Sequence, residues 1–351
     1  MLQPNSRCGN TTRLLSATLI FSSALAFSTA SAASDALADA DWKARSSGAG
    51  VLMATRFDTE QEVTDWIHQN KNADHVSWSR ENVASGNGSL RFEILKTDRA
   101  DSGNWRRWLS DDQREFGEGD EIFVQFRQYI PKYLATHRFK GAGGWKQIII
   151  SRHSQDMAPR PAGSNQLNEV VLQNTSHRGL VQGYNRNLSK KYPPWQARLS
   201  TACSKQDFVF QNAIDHGPSG GGCVGARRQY GGLRSFYAEK MAGYQQGHPD
   251  PETGAFIYYP DEWLTFMVRV KIGTYGESNH EIKVWASRKT DSDYVLLIDH
   301  EDRQLGRGPL HDTLWLLPYN TRRKEDPGRE DTYTLYDEVI VSTSFIPAPR
   351  P

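Results

Sequence analysis

Between residues 131 and 240, cations and aromatic rings are interleaved. Lys146, Arg152, Arg178, Arg186, Lys190 and Lys191 stand among Trp145, Tyr184, Tyr192 and Trp195. A pyranose ring stacks on Trp or Tyr while a neighbouring cation holds a carboxylate or sulfate. The chemistry on offer is the binding of an acidic sugar polymer, with Trp145 and Trp195 the most suggestive stacking residues, although a tryptophan is more often core, and with Lys146, Gln182 and Arg186 as polar contacts. The same stretch holds 16 Lys and Arg against five acids, Asp156, Glu169, Asp207, Asp215 and Glu239. A local excess of +11 inside a 351-residue chain of formal charge +1 is an asymmetry that attracts anions, although a solvated basic face would look the same. Nothing in the global charge points to nucleic acid.

Other chemistries lack their residues. A retaining glycoside hydrolase needs two carboxylates about 5 Å apart, and the tandem pattern E-x-D-x-x-E is absent. Glu169 is the one acid among the basic central strands, so a hydrolytic pair would have to come from remote positions such as Glu121 or Glu338. A zinc site needs more than two thiols without a CxxC pattern. Calcium is common in β-sandwich folds, but no DxDxD-type loop supports a site, so no cofactor and no metal is expected.

The first 32 residues read as a secretory signal: Arg7 and Arg13 precede an apolar run, Leu14 to Phe27, that ends in the small-x-small sequence Ala30-Ser31-Ala32. That run is interrupted by Ser16, Thr18, Ser22 and Ser23, which argues against a membrane anchor. Cleavage leaves 40 basic and 41 acidic residues and two cysteines, Cys203 and Cys223, in a secreted or periplasmic protein. In an oxidising compartment such a pair reads as a disulfide closing a glycine-rich loop.

The elements that must position these residues are strands. Mean hydropathy is −0.66, too polar for a multispan membrane protein. Short alternating segments separated by Gly, Pro, Asn and Asp dominate. In Glu121–Ile130, Ile122, Val124, Phe126 and Ile130 share one face, and Phe123, Gln125, Arg127 and Tyr129 share the other. Further strands are expected at Ser89–Leu95, Trp145–Arg152, Asn168–Asn174, Leu180–Tyr184, Trp263–Ile272, Glu281–Ser287, Tyr294–Asp299, Thr313–Leu317 and Thr332–Ser342. One helix is expected over Thr59–Gln69, opening after Asp58. The pattern predicts an all-β, two-sheet antiparallel sandwich forming a single domain over 51–347. A flexible leader over 33–50 precedes it, a loop-rich insertion over 186–262 interrupts it, and 348–351 form a tail.

The order SLRFEI, GDEIFVQFRQYIP, GGWKQIIIS, NEVVLQN, GLVQGYN, EWLTFMVRVKIG, EIKVWAS and YTLYDEVIVSTSFIP resembles the concanavalin A-like β-jelly rolls of secreted polysaccharide lyases, the alginate-, heparin- and glucuronan-lyase groups. The resemblance implies a concave sheet holding a uronate polymer. There an Arg, Gln or Asn neutralises the C6 carboxylate, and a Tyr or His moves the C5 proton. Carried onto this sequence, those roles fall to Arg127, Gln147, Asn174, Tyr184 and His153. The Q-I-H tripeptide of alginate lyases is Gln147-Ile148-Ile149 here, and their Y-F-K-A-G segment is absent. Each residue also has a plainer role: Arg127 could pair with a carboxylate on a neighbouring strand, Tyr184 could pack, Asn174 could end its strand, and Gln147, if buried, must find hydrogen-bond partners. The expected protein is a monomeric lyase of acidic polysaccharides. A non-catalytic lectin-like module is the alternative, and a glycoside hydrolase ranks third.

Thiol titration of the unfolded mature chain should find no free thiol before reduction. Reduction should cost about 3 kcal/mol of stability, the chain-entropy value for a loop of this length.

Overall fold

The structure, a computed structural model of the chain, describes residues 36–67, 72–109, 116–137, 144–151, 169–174, 181–186, 258–274, 277–304, 313–321 and 328–351. The signal, His153, Trp195, Cys203, Cys223 and most of the insertion lie outside the described residues.

Helix α1 (36–46) is followed by β1 (Val51–Thr55), α2 (Glu60–Thr64), a 3-10 turn (Ala73–His75), β2 (Val76–Ser79), β3 (Ser89–Ile94) and β4 (Trp105–Trp108). Next come β5 (Glu121–Ile130), α3 (Lys132–Thr136), β6 (Gly144–Ser151), β7 (Glu169–Asn174) and β8 (Val181–Arg186). The chain closes with β9 (Glu262–Lys271), β10 (Ser278–Arg288), β11 (Val295–Gln304), β12 (Thr313–Leu316), β13 (Asn320–Thr321) and β14 (Thr332–Ser342).

These strands form two antiparallel sheets. An eight-stranded sheet runs β11-β10-β9-β5-β14-β3-β2, with β1 beside β14. A six-stranded sheet runs β4-β12-β6-β7-β8, with β13 beside β6. The core lies between them. From β5 it takes Ile122, Val124, Phe126 and Ile130, the expected period-two set, and from the facing sheet Ile148, Ile150, Leu172, Leu314 and Leu316. We call the outer surface of the six-stranded sheet the front face and that of the eight-stranded sheet the back face.

The core is not wholly apolar. Gln128 continues the inward-facing set of β5 and meets Gln147 of β6, both fully buried. Tyr258 donates to Gln147 Oε1 at 2.5 Å, Gln147 Nε2 to Gln128 Oε1 at 2.8 Å, and Gln128 Nε2 to Thr334 Oγ1 at 2.9 Å. The Thr334 hydroxyl ends the chain on the Tyr129 carbonyl at 2.8 Å. Every amide in it is used on both sides, which lets a polar chain persist in a core.

Two expected elements differ. The helix opens one residue later than expected, because Thr59 rather than Asp58 caps it in a reciprocal capping box with Glu62, and it runs only to Thr64. Residues 36–46 of the expected leader form a helix. Alanine-rich sequence favours that conformation, and the back face holds it: Trp42 packs against Phe123, Met267, Ile340 and Ile346. Its Arg45 reaches Glu338 Oε2 at 2.5 Å and Gln125 Oε1 at 2.6 Å.

Glu338 sits in a bulge of β14, where pairing with β5 steps from Asp337 to Ile340 against Arg127 to Gln125. Its backbone is left-handed at φ 46°, costing on the order of 1 kcal/mol or more for a residue with a side chain. Burial opposes the charged form of Glu338, but Arg127 and Arg45 outweigh it and hold the carboxyl below its ordinary value. Asp337 beside it is raised well above its usual range by burial and by the Glu338 charge.

A carboxyl depressed in the folded state contributes stability above its unfolded pKa, about 4.3. That contribution is lost as pH falls through the lower folded value. Glu338→Gln should therefore cost about 3 kcal/mol at neutral pH, by leaving buried guanidinium charge uncompensated. It should also flatten the acid limb of the melting temperature against pH.

Candidate functional site on the front face

On the six-stranded sheet, alternation decides what faces outward. Val170 and Leu172 are core residues, so Glu169, Val171 and Gln173 occupy front-face positions. Pairing extends those positions across the sheet in rows. One row is Arg106, Trp315, Ile149, Val171 and Tyr184; another joins Lys146, Gln173 and Gln182; Glu169 stands opposite Arg186.

The described side chains on this face form a contiguous cluster. Ile149 and Leu317 pack with Trp315 and Tyr319. The guanidinium of Arg106 lies 3.4 Å from the Trp315 ring centroid, and Lys146 Nζ lies 4.7 Å from that of Tyr319. Arg106 Nε, Trp315 Nε1 and Ser151 Oγ are buried without a hydrogen-bond partner, and Arg106 has no carboxylate partner among the described residues. Burial lowers the Arg106 pKa to about 9, and the charge of Asp101 offsets this only in part. A cation under such a desolvation penalty, stacked on an indole whose own Nε1 is unused, is complementary to an anion with several acceptor oxygens.

Sequence reasoning did not find Arg106, Trp315, Ser151 or Tyr319. Arg106 belongs to Trp105-Arg106-Arg107-Trp108, outside the basic stretch, and a four-residue strand shows little alternation. Its two cations stack on indoles, Arg106 on Trp315 and Arg107 on Trp66. The W-R-R-W sequence was the available signal.

The expected site residues do not converge. Tyr184, Gln182, Arg186 and Lys146 stand at register positions of the front-face set. Asn174 does not join them: it stands opposite Val181, in the alternate set with Leu172. Arg127 is on the other side of the molecule, buried on the back face with Nη1 3.4 Å from Glu338 Oε1, the structural pairing with a neighbouring strand. Gln147 is interior rather than on the groove. The pairing of β6 with β7 steps from Lys146 to Ile148 against Gln173 to Leu172, so Gln147 is an extra residue turned inward. Trp145 is also a core residue, its indole donating to the Leu134 carbonyl at 3.4 Å and its ring against Tyr258, so it offers no stacking surface. His153 and Trp195 lie outside the described residues, as does the cysteine pair. Among the described residues, no group of His, Cys, Asp and Glu could hold a metal ion, and no helix is long and apolar enough to cross a membrane.

No family model matches the sequence, and no curated protein matches it. Solved structures do. A marine alginate lyase from Aplysia kurodai is similar with a TM-score of 0.50 at 11% identity, over 84% of this chain and 100% of that one. An endo-β-1,4-glucuronan lyase from the fungus Trichoderma reesei is similar with a TM-score of 0.49 at 11% identity, over 86% and 100%. An alginate lyase from a Chlorella virus follows at 0.41 and 9% identity, over 83% and 99%. The likeness to the Aplysia kurodai enzyme bears out the expected fold: the chain is a two-sheet antiparallel β-jelly roll.

The two arginines should respond oppositely to loss of charge. Arg127→Met should cost about 3 kcal/mol, because Glu338 loses one of its cations in the interior. Arg106→Met should leave thermal stability unchanged or raised, since no partner is stranded.

Proposed function

We propose that this chain is a secreted polysaccharide lyase that cleaves a uronate-containing polymer by β-elimination on its front face. The observation that carries the proposal is the half-buried Arg106 guanidinium, stacked on Trp315 with no carboxylate in salt-bridge contact among the described residues. A fold that keeps such a cation at its surface keeps it for an anionic ligand, and the C6 carboxylate of a uronate supplies the missing charge.

In the reaction, Arg106 holds the carboxylate, with Trp315 Nε1 and Ser151 Oγ as further donors. This withdraws charge from C5 and stabilises the aci-carboxylate that develops as its proton leaves. Tyr319, packed in the same cluster, is the phenol placed to take that proton and to return one to the leaving oxygen. The C5–H pair becomes the C4=C5 double bond, the C4–O4 bond breaks, and O4 departs protonated. No second carboxylate and no metal is required. Tyr184 lies two strands beyond Ile149, roughly 10 Å away at ordinary strand spacing. With Gln173, Gln182 and Arg186 it serves a neighbouring sugar of the same chain.

The test is ultraviolet absorbance of the new C4=C5 bond over a panel of alginate, glucuronan and glycosaminoglycans. At least one polymer should give the signal. Tyr319→Phe should lower kcat by about 10²- to 10⁴-fold, the usual weight of a general acid–base group, while Tyr184→Phe acts mainly on KM. Binding without the absorbance would make the protein a lectin-like module, and new reducing ends without it would make it a hydrolase.

A further inference from the structure

Gln147 is the extra residue of the β6 bulge, and its side chain and carbonyl are both held from inside the sandwich. Besides the contacts of its amide, its carbonyl oxygen accepts from the Tyr336 hydroxyl at 2.9 Å and from the Leu317 amide at 3.4 Å. Tyr336 belongs to the opposite sheet, its ring fixed edge-on to Phe92 at 5.5 Å and against Phe126 at 6.0 Å. The bulge is thus anchored across the core by a hydroxyl whose own position is set by aromatic packing.

Its effect on the front face follows from alternation. Ile148 and Ile150 face the core and Ile149 faces outward. In a regular strand Gln147 would then face outward and Lys146 inward. The extra residue reverses this: Gln147 turns in, and Lys146 comes out over the Tyr319 ring, its own amide bonded to the Tyr319 carbonyl at 2.9 Å. We propose that Gln147 and Tyr336 are positioning residues, whose interior hydrogen bonds hold the bulge that presents a cation instead of an amide beside Tyr319. The inference rests on the front face being the site of polymer cleavage, and it assigns to Lys146 the recognition of acidic groups next to the bond that breaks.

Tyr336→Phe removes the anchoring hydroxyl and keeps the ring. Two measurements separate this proposal from the proposed function. Acylation of Lys146, followed by peptide mapping in the folded protein, needs no substrate. Tyr336→Phe should change its rate roughly three- to tenfold, the weight of one lost hydrogen bond, whereas Tyr333→Phe on the back face should not. On a cleaved polymer, Lys146→Ala and Tyr336→Phe should each raise KM about tenfold, as for one lost charged contact. The double variant should be no worse than either alone, and kcat should change little. An unchanged acylation rate in a variant that melts normally would overturn the proposal, as would KM effects that multiply. If no polymer is cleaved, the proposed function fails, and the acylation rate alone decides whether the bulge positions Lys146.

Discussion

The sandwich depends on a hydrogen-bond chain that crosses its core. Two buried glutamines, Gln128 and Gln147, face one another where apolar side chains would pack without penalty, and each is satisfied only by the other and by hydroxyls of Tyr258, Tyr336 and Thr334. An interior of this kind tolerates one register. Sliding β6 by a residue would strand both amides and bury Lys146, so the arrangement of the front face is set from inside the molecule. Tyr258 ties in the segment leading into β9, which makes the end of the long insertion part of the same constraint.

The back face solves a similar problem with charge. A bulge in β14 turns Asp337 and Glu338 to the same side. Two backbone amides, of Ala84 and Ser85, meet one Asp337 oxygen at 2.9 and 3.3 Å, while Arg45 and Arg127 divide the oxygens of Glu338. Each sheet therefore carries an irregularity that aims a polar group. In the six-stranded sheet the result is Lys146 brought out over the Tyr319 ring, and in the eight-stranded sheet a paired network sealed under α1.

Much of the fold was legible because period-two alternation is a local property. β5 and β14 have the expected ends, and most other long strands differ by a residue or two. The short strands β1, β2 and β4 were not legible, since four or five residues show too little alternation. The site was less legible, because facing is a property of the whole strand. Arg127 and Gln147 were singled out for residue type, yet one lies on the wrong face and the other was turned inward by a bulge whose anchor, Tyr336, is 189 residues away in sequence. Arg106 carried no local signal beyond its neighbouring tryptophans. What marks it is a buried Nε with no hydrogen-bond partner among the described residues, which only the assembled sheet reveals.

Helix α1 and residues 345–349 both lie on the back face, where Gln125 donates to the Pro347 carbonyl at 2.8 Å while its Oε1 accepts from Arg45. One side chain thus fastens the two ends of the domain together, on the side away from Arg106 and Tyr319. Anything joined to either end, whether a solid support, a second module or a cell-surface tether, would be held behind the sandwich.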